Sequence, residues 1–260
     1  MEKTILVAGK DMPDGKKFAD GLSFSNRNIL ITGNDIDVPE PSENKDDETS
    51  EQMNVLKGET TAEWNRGSSL SARTLILQTE NTYEKMDEAV LFFDEEYFAS
   101  KADKMDAAEC SRTCDDLISG YMYLTLEVLS RFEKKNSGGA PGKLVFVLQE
   151  GPCMVDALRS PVLRNGSNSI ASPLVASAAG AFTSFAENIA AVYGDMEYVN
   201  IILVRGDKGI EAAKTDDSLA KWLGSYLDSV DELKHKLTAK KSISWVKPGT
   251  KSAGGFSLFK

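Results

Sequence analysis

Short apolar, β-branched runs recur along this chain, each separated from the next by a helical or loop stretch, and this alternation restricts the fold more than any other feature. The clearest runs are Thr4–Ala8 (TILVA), Asn28–Thr32 (NILIT), Ala89–Phe93 (AVLFF), Lys143–Leu148 (KLVFVL) and Tyr198–Val204 (YVNIILV). Continuous apolar character over so short a length marks strands buried on both faces. Between them, Lys16–Leu22 puts Phe18, Ala19 and Leu22 on one helical face. A long helix is predicted over Met105–Lys135, carrying Leu117, Tyr121, Leu124, Val128 and Leu129 inward. Leu174–Tyr193 reads as a helix rich in small residues, and Asp216–Leu237 as a further one. Ser68–Tyr83 contains Thr74–Leu77 (TLIL), which alone could pass for a strand, but a crossover is needed before AVLFF, so the stretch is read as helix. Met53–Leu56 and Ser242–Val246 are expected to add short strands. Strand–helix–strand repetition of this kind requires right-handed parallel crossovers. The expected fold is α/β: a doubly wound parallel sheet in a three-layer α/β/α sandwich, formed by one domain over residues 1–260.

The stretch 35–52 interrupts the pattern with acidic and polar residues, Pro39 and Pro41, and is expected to be a mobile acidic excursion. The chain carries 40 acidic and 30 basic residues, a formal net charge of −10. Such a charge repels phosphate backbones, so no nucleic-acid partner is expected. The lysines at 234, 236, 240 and 241 are helix-spaced without interleaved aromatics and read as a solvated face. No run approaches the roughly 18 apolar residues of a membrane span. No long apolar leader follows Lys3, and Cys110, Cys114 and Cys153 are too few for a disulfide framework. The expectation is a cytoplasmic protein with no membrane partner.

Several positions carry a resemblance to a known family. In Val7-Ala8-Gly9-Lys10-Asp11-Met12-Pro13-Asp14-Gly15, Gly9 and Gly15 match the first and third glycines of a TGxxxGxG turn. Asp87 precedes AVLFF, Gly120 lies early in the long helix, Leu174–Ala181 (LVASAAGA) resembles Y-x-A-S-K-A-A, and Val199-Asn200 opens the next strand. In order and spacing these resemble the short-chain dehydrogenase/reductase family over nearly the whole chain. The resemblance implies a Rossmann-like fold, an NAD(P)-binding turn and a proton relay of asparagine, serine, tyrosine and lysine.

At the positions the resemblance assigns to that relay stand Leu117, Gln149, Leu174 and Ala178. Leucine and alanine transfer no proton, and glutamine is neither acid nor base at neutral pH. In the phosphate turn Gly9 and Gly15 survive, but Pro13 replaces the middle glycine, and at the end of the second strand Gly33-Asn34 stand where the resemblance implies a cofactor-selecting acid or arginine, with Asp35 one step late. Proline removes one N–H from the cradle, and Asp14 adds a negative charge beside it. The sequence therefore reads as a non-catalytic, self-associating homologue with a vestigial dinucleotide site and no expected cofactor. The alternative is a divergent NAD(P)-dependent oxidoreductase acting on a carbonyl or alcohol, with Tyr97 or Tyr121 as a displaced proton donor.

Other groups are weaker. Asp94-Glu95-Glu96 ends a strand but lacks further oxygen ligands for a cation, so no metal is expected. Cys110 and Cys114 read as a core or half-buried pair, since no second pair or histidine completes a zinc set. His235 is the chain's single histidine and is expected to be exposed. In the resembled family the two long helices pair across a two-fold axis. Here the helices at 105–135 and 174–193 offer Ala176, Ala179, Gly180 and Ala190 for close approach and Phe182 and Phe185 for apolar area. A homodimer or homotetramer through them is expected, with burial inside one chain as the alternative.

Overall fold

The computed structural model describes residues 2–33, 59–102, 104–136, 139–159, 170–233 and 235–253. The acidic stretch 35–52 and the expected strand Met53–Leu56 lie outside them. The strands are β1 (Lys3–Met12), β2 (Arg27–Gly33), β3 (Glu59–Ala62), β4 (Glu88–Asp94), β5 (Gly142–Glu150), β6 (Val199–Asp207) and β7 (Trp245–Val246). They form one parallel sheet in the order β3-β2-β1-β4-β5-β6-β7. The doubly wound α/β fold expected from the alternation is the fold observed.

Period-two alternation splits the apolar strand residues between two cores. Leu6, Leu91, Leu144, Phe146 and Leu203 face one layer, formed by α2 (Ser69–Tyr83), α5 (Gly120–Asn136) and α7 (Pro173–Tyr193). Ile5, Val7, Val90, Val145 and Val204 face the other, formed by α1 (Lys16–Ser23) and α8 (Asp216–Asp231). Short helices α3 (Glu95–Ala99), α4 (Ala107–Thr113), α6 (Met154–Arg159) and α9 (Ala239–Ser242) complete the set. Thr74–Leu77 lies within α2, as the crossover argument requires. The expected helix 105–135 is α4 and α5 joined by a π-helical stretch, Cys114–Ser119. Side-chain caps fix several starts: Ser68 for α2, Asp94 for α3, Ser172 for α7, and a Thr215–Ser218 capping box for α8.

The N-terminal edge of the sheet holds a buried charge cluster. Glu88 accepts from Arg27 Nε at 2.6 Å and from Lys143 Nζ at 2.9 Å. The side chains of Arg27, Glu88 and Lys143 are each at most 3% exposed. Asp228 and Asp231 at the end of α8 reach the same cations, at 2.8 Å from Arg27 and 2.6 Å from Lys143. The cluster pins α8 across β2, β4 and β5 and leaves the opposite edge free for a site.

Candidate functional site at the switch point of the sheet

From β1 the chain builds β2 and β3 on one side and then crosses to β4 on the other. The crevice where the winding reverses, at the C-terminal ends of β1 and β4, is where open α/β sheets bind ligands. Gly9 sits there with φ +126°. A Cβ at Gly9 would lie 1.9 Å from the Phe92 carbonyl oxygen and 2.5 Å from the Tyr121 hydroxyl. Only glycine lets β1 pass so close to β4.

Beyond Gly9 the chain forms a charged lattice. The Gly9 carbonyl accepts from Arg66 Nη2 at 2.6 Å, and Arg66 Nη2 also reaches Asp11 Oδ2 at 2.8 Å. Asp11 accepts from the Thr32 hydroxyl at 2.5 Å. The Arg66 guanidinium packs over the rings of Trp64, Phe98 and Tyr121 at 4.8, 5.2 and 6.0 Å. Its Nη1 is buried and has no hydrogen-bond partner among the described residues. Lys10 Nζ lies between Asp94 and Asp216 at 2.8 and 2.7 Å. Burial works to deprotonate Lys10, but these two carboxylates outweigh it and hold its pKa above the ordinary lysine value.

Two cavities open on this lattice. One, of about 480 Å³, is lined by Arg66, Tyr97, Lys101, Thr113, Asp116 and Leu117, among others. The second, of about 730 Å³, is lined by Lys10, Lys16, Lys17, Tyr97, Lys208 and Asp216, among others. Both volumes lie in the range of small-molecule sites, roughly 300–1,000 Å³. Thr113 is 4% exposed and its hydroxyl, like Arg66 Nη1, has no partner among the described residues.

The turn after β1 is closed on itself. The Gly15 N–H donates to the Asp11 carbonyl at 2.9 Å and the Lys16 N–H to the Pro13 carbonyl at 3.1 Å. A Cβ on Gly15 would meet the Lys10 carbonyl oxygen at 2.3 Å, and one on Gly33 would meet Met12 Cβ at 2.8 Å. These glycines thus permit close packing inside the turn. Pro13 and Asp14 are exposed at its tip, and the Met12–Pro13 peptide is cis.

The four positions that the resemblance assigns to a relay are divided between the two faces of the sheet. Leu117 is 5% exposed in the π-helical stretch, and Ala178 is fully buried in the same apolar layer. Leu174 is half-buried in the first turn of α7. Gln149 follows Val145 and Val147 onto the opposite face, where its amide donates to the Ala213 carbonyl at 3.1 Å. Tyr121 is 1% exposed and donates to the Phe92 carbonyl at 2.7 Å. Burial raises its pKa above the ordinary tyrosine value. Tyr97 lines both cavities. Burial, then Asp11, raises its pKa against the opposing pull of Lys101 and Arg66. Lys101 Nζ lies 4.7 Å from the Tyr97 ring. That pair is readable as i, i+4 spacing; Lys10 lies beyond the apolar run of β1 and Arg66 in the connection before α2, so no periodicity marks either.

The remaining candidates have other roles. Asp94 caps α3 and pairs with Lys10, Glu95 accepts from the Gly151 N–H at 2.8 Å, and Glu96 pairs with Lys208. Cys110 of α4 and Cys114 of the π-helical stretch are both exposed, not core. His235 is exposed as expected. Phe182 is 3% exposed and packs on Phe93, Tyr121 and Phe146 of its own chain. Among the described residues no helix is long and apolar enough to cross a membrane.

No protein-family model matches the chain. An uncharacterized protein of Treponema pallidum (strain Nichols) is 28% identical over 194 residues, 74% of each chain. Among solved structures, a short chain dehydrogenase from Mycobacterium smegmatis aligns with a TM-score of 0.61 at 16% identity, covering 95% of this chain and 91% of that one. An NADH-dependent reductase A1-R' complexed with NAD aligns at 0.59 and 12% identity over 96% of each chain. A 3-ketoacyl-(acyl-carrier-protein) reductase from Brucella melitensis complexed with NADH aligns at 0.52 and 11% identity, over 79% of this chain and 74% of that one. The structural neighbours are short-chain dehydrogenases and reductases, and the fold is theirs.

These neighbours correct the expectation that no cofactor belongs here: chains of this fold have been solved with NADH and with NAD. The expectation leaned on Pro13 and the lost backbone donor, and gave no weight to side-chain donors. In this chain the Gly15 and Lys16 N–H groups are committed within the turn. The donors that remain around the crevice are the side chains of Lys16, paired with Asp20, Lys208, paired with Glu96, and Lys17, together with the unpartnered Arg66 Nη1 and Thr113 hydroxyl.

Proposed function

We propose that this chain is a short-chain dehydrogenase/reductase-like protein that binds a nicotinamide dinucleotide in the β1–β4 crevice and does not use it to reduce a carbonyl. The observation that carries this reading is the pairing of an open crevice, lined by Lys10, Lys16, Lys17 and Lys208 among carboxylates, with buried apolar side chains at Leu117 and Ala178. Lys16, Lys17 and Lys208 would hold the phosphates through side-chain charge. Arg66 Nη1 and the Thr113 hydroxyl would donate to the adenosine half. When bound, the nicotinamide ring supplies a hydride acceptor or donor. No acid or base stands at Leu117, Leu174 or Ala178 to move the accompanying proton, and the Gln149 amide is engaged with Ala213 on the other face.

A second reading is favoured by one observation. Tyr97, which lines both cavities, and Lys101, four residues on and lining one of them, could replace the absent relay. Binding of NADH or NADPH measured by calorimetry, with turnover followed over a carbonyl panel, separates the two. Binding without turnover supports the binding protein. Turnover abolished by Tyr97→Phe supports the displaced enzyme.

Self-association belongs to the same proposal. Leu126 is 50% exposed and Tyr123 36% exposed on α5. On α7, nothing lies within 4 Å of the space a Gly180 side chain would take. These leave an apolar and small-residue face for a second copy.

A further inference from the structure

The short β7 pairs with Leu203 and Val204 of β6, so among the described residues the first half of β6 has no strand beside it on that edge. A cavity of about 460 Å³ lies there, walled by Ile202, Tyr226, Leu237 and Val246. Its lining shares no residue with the cavities of the β1–β4 crevice. At its rim stand Lys240 and Lys241, in the last turn of α9. Both are exposed, and neither has an ion-pair partner among the described residues. Ser242 also lines the cavity. It is 2% exposed, and its hydroxyl is buried without a hydrogen-bond partner among the described residues. Thr238, which begins α9, makes no side-chain cap bond and lines the cavity as well.

A buried hydroxyl without a partner is unfavourable, and an acceptor brought beside it removes the cost. Two cations without partners at the same mouth select a negative charge for that acceptor. The walls behind them, Ile202, Tyr226, Leu237 and Val246, are apolar and run beside the end of β6, which suits a saturated chain. We propose that this cavity binds an acyl monocarboxylate of medium length. Its alkyl chain lies against Ile202, Leu237 and Val246, which share one face of the sheet, and its carboxylate accepts from the Ser242 hydroxyl and pairs with Lys240 and Lys241. The proposal is independent of the dinucleotide crevice.

Calorimetric titration of the full chain with sodium octanoate tests this, with octylamine as the matched cation. Saturable binding of octanoate is expected, at least tenfold tighter than octylamine. Lys240→Glu/Lys241→Glu, changes at two exposed positions, should weaken octanoate about tenfold or more while leaving the circular dichroism spectrum unaltered. Leu237→Trp, which fills the cavity, should abolish octanoate binding in a protein that keeps the parent's circular dichroism spectrum and cooperative urea unfolding. Absence of saturable octanoate binding overturns the assignment. So does equal affinity for octylamine, or an octanoate affinity unchanged by the lysine substitutions.

Discussion

The Nη2 of Arg66 lies 2.6 Å from the carbonyl oxygen of Gly9. A side chain from the connection between β3 and α2 is thereby fastened to the point where β1 passes β4. The contact places a buried positive charge at the switch point of the sheet, the position where a parallel α/β fold meets its ligand. It also makes Gly9 the most constrained backbone position of the site.

Gly9→Ala is expected to destabilise the protein by about 3 kcal/mol, from overpacking against the Phe92 carbonyl and the Tyr121 hydroxyl together with the cost of a side chain at positive φ. Urea unfolding monitored by circular dichroism measures it. A change below about 1 kcal/mol would show that β1 and β4 can separate freely there.

The charge cluster under the sheet gives a prediction at Glu88. Glu88→Gln leaves Arg27 and Lys143 buried without their shared carboxylate, and should cost about 3–4 kcal/mol by the same urea assay. A neutral effect would mean that Asp228 and Asp231 alone satisfy both cations.

Acid should weaken the same cluster. Burial opposes ionisation of Asp228 and Asp231, but the hydrogen bonds and charges of Arg27, Lys143 and Lys3 outweigh it and hold both carboxyls below the ordinary aspartate value. A carboxylate with a lowered folded-state pKa contributes stability that is complete above its unfolded pKa and is lost as pH falls through the folded one. The urea midpoint should therefore drop as pH is lowered below about 4. The drop should be shallower in Asp228→Asn/Asp231→Asn, and an unchanged acid slope in that variant contradicts the assignment.

The strands of this fold were legible because each is a continuous apolar run, and α7 was legible from its small-residue face. The charged residues of the buried cluster were not. Arg27, Glu88 and Lys143 sit at strand starts, where charge in a sequence ordinarily marks a boundary rather than an interior. Arg66 was hidden for a different reason: its burial depends on Trp64, Phe98 and Tyr121, which meet only when the chain folds. The side of the sheet that Gln149 takes was available by counting along β5, since Leu144, Phe146 and Leu148 fix the other face. β3 falls at Glu59–Ala62, a polar segment at the sheet edge with no apolar run to announce it.

Lys16→Ala/Lys17→Ala should weaken NADH binding about tenfold or more, since each ammonium is proposed to meet a phosphate. The remaining affinity should depend less on salt than that of the parent. Calorimetry at two ionic strengths reads both effects, and unchanged affinity would remove these lysines from the site.

Leu126→Glu places a charge on the exposed face of α5, and should convert a dimer or tetramer to monomer in sedimentation velocity. A parent chain that is already monomeric at micromolar concentration contradicts self-association through this face.

The central claim is a dinucleotide crevice kept without its inherited proton relay, and one paired measurement tests it most directly. NADH is titrated into the full chain by calorimetry, and the same preparation is assayed for NADH oxidation with a panel of aldehydes and ketones. The account predicts saturable binding and no oxidation above the protein-free rate. Failure to bind, or sustained oxidation with any of the carbonyls, contradicts it.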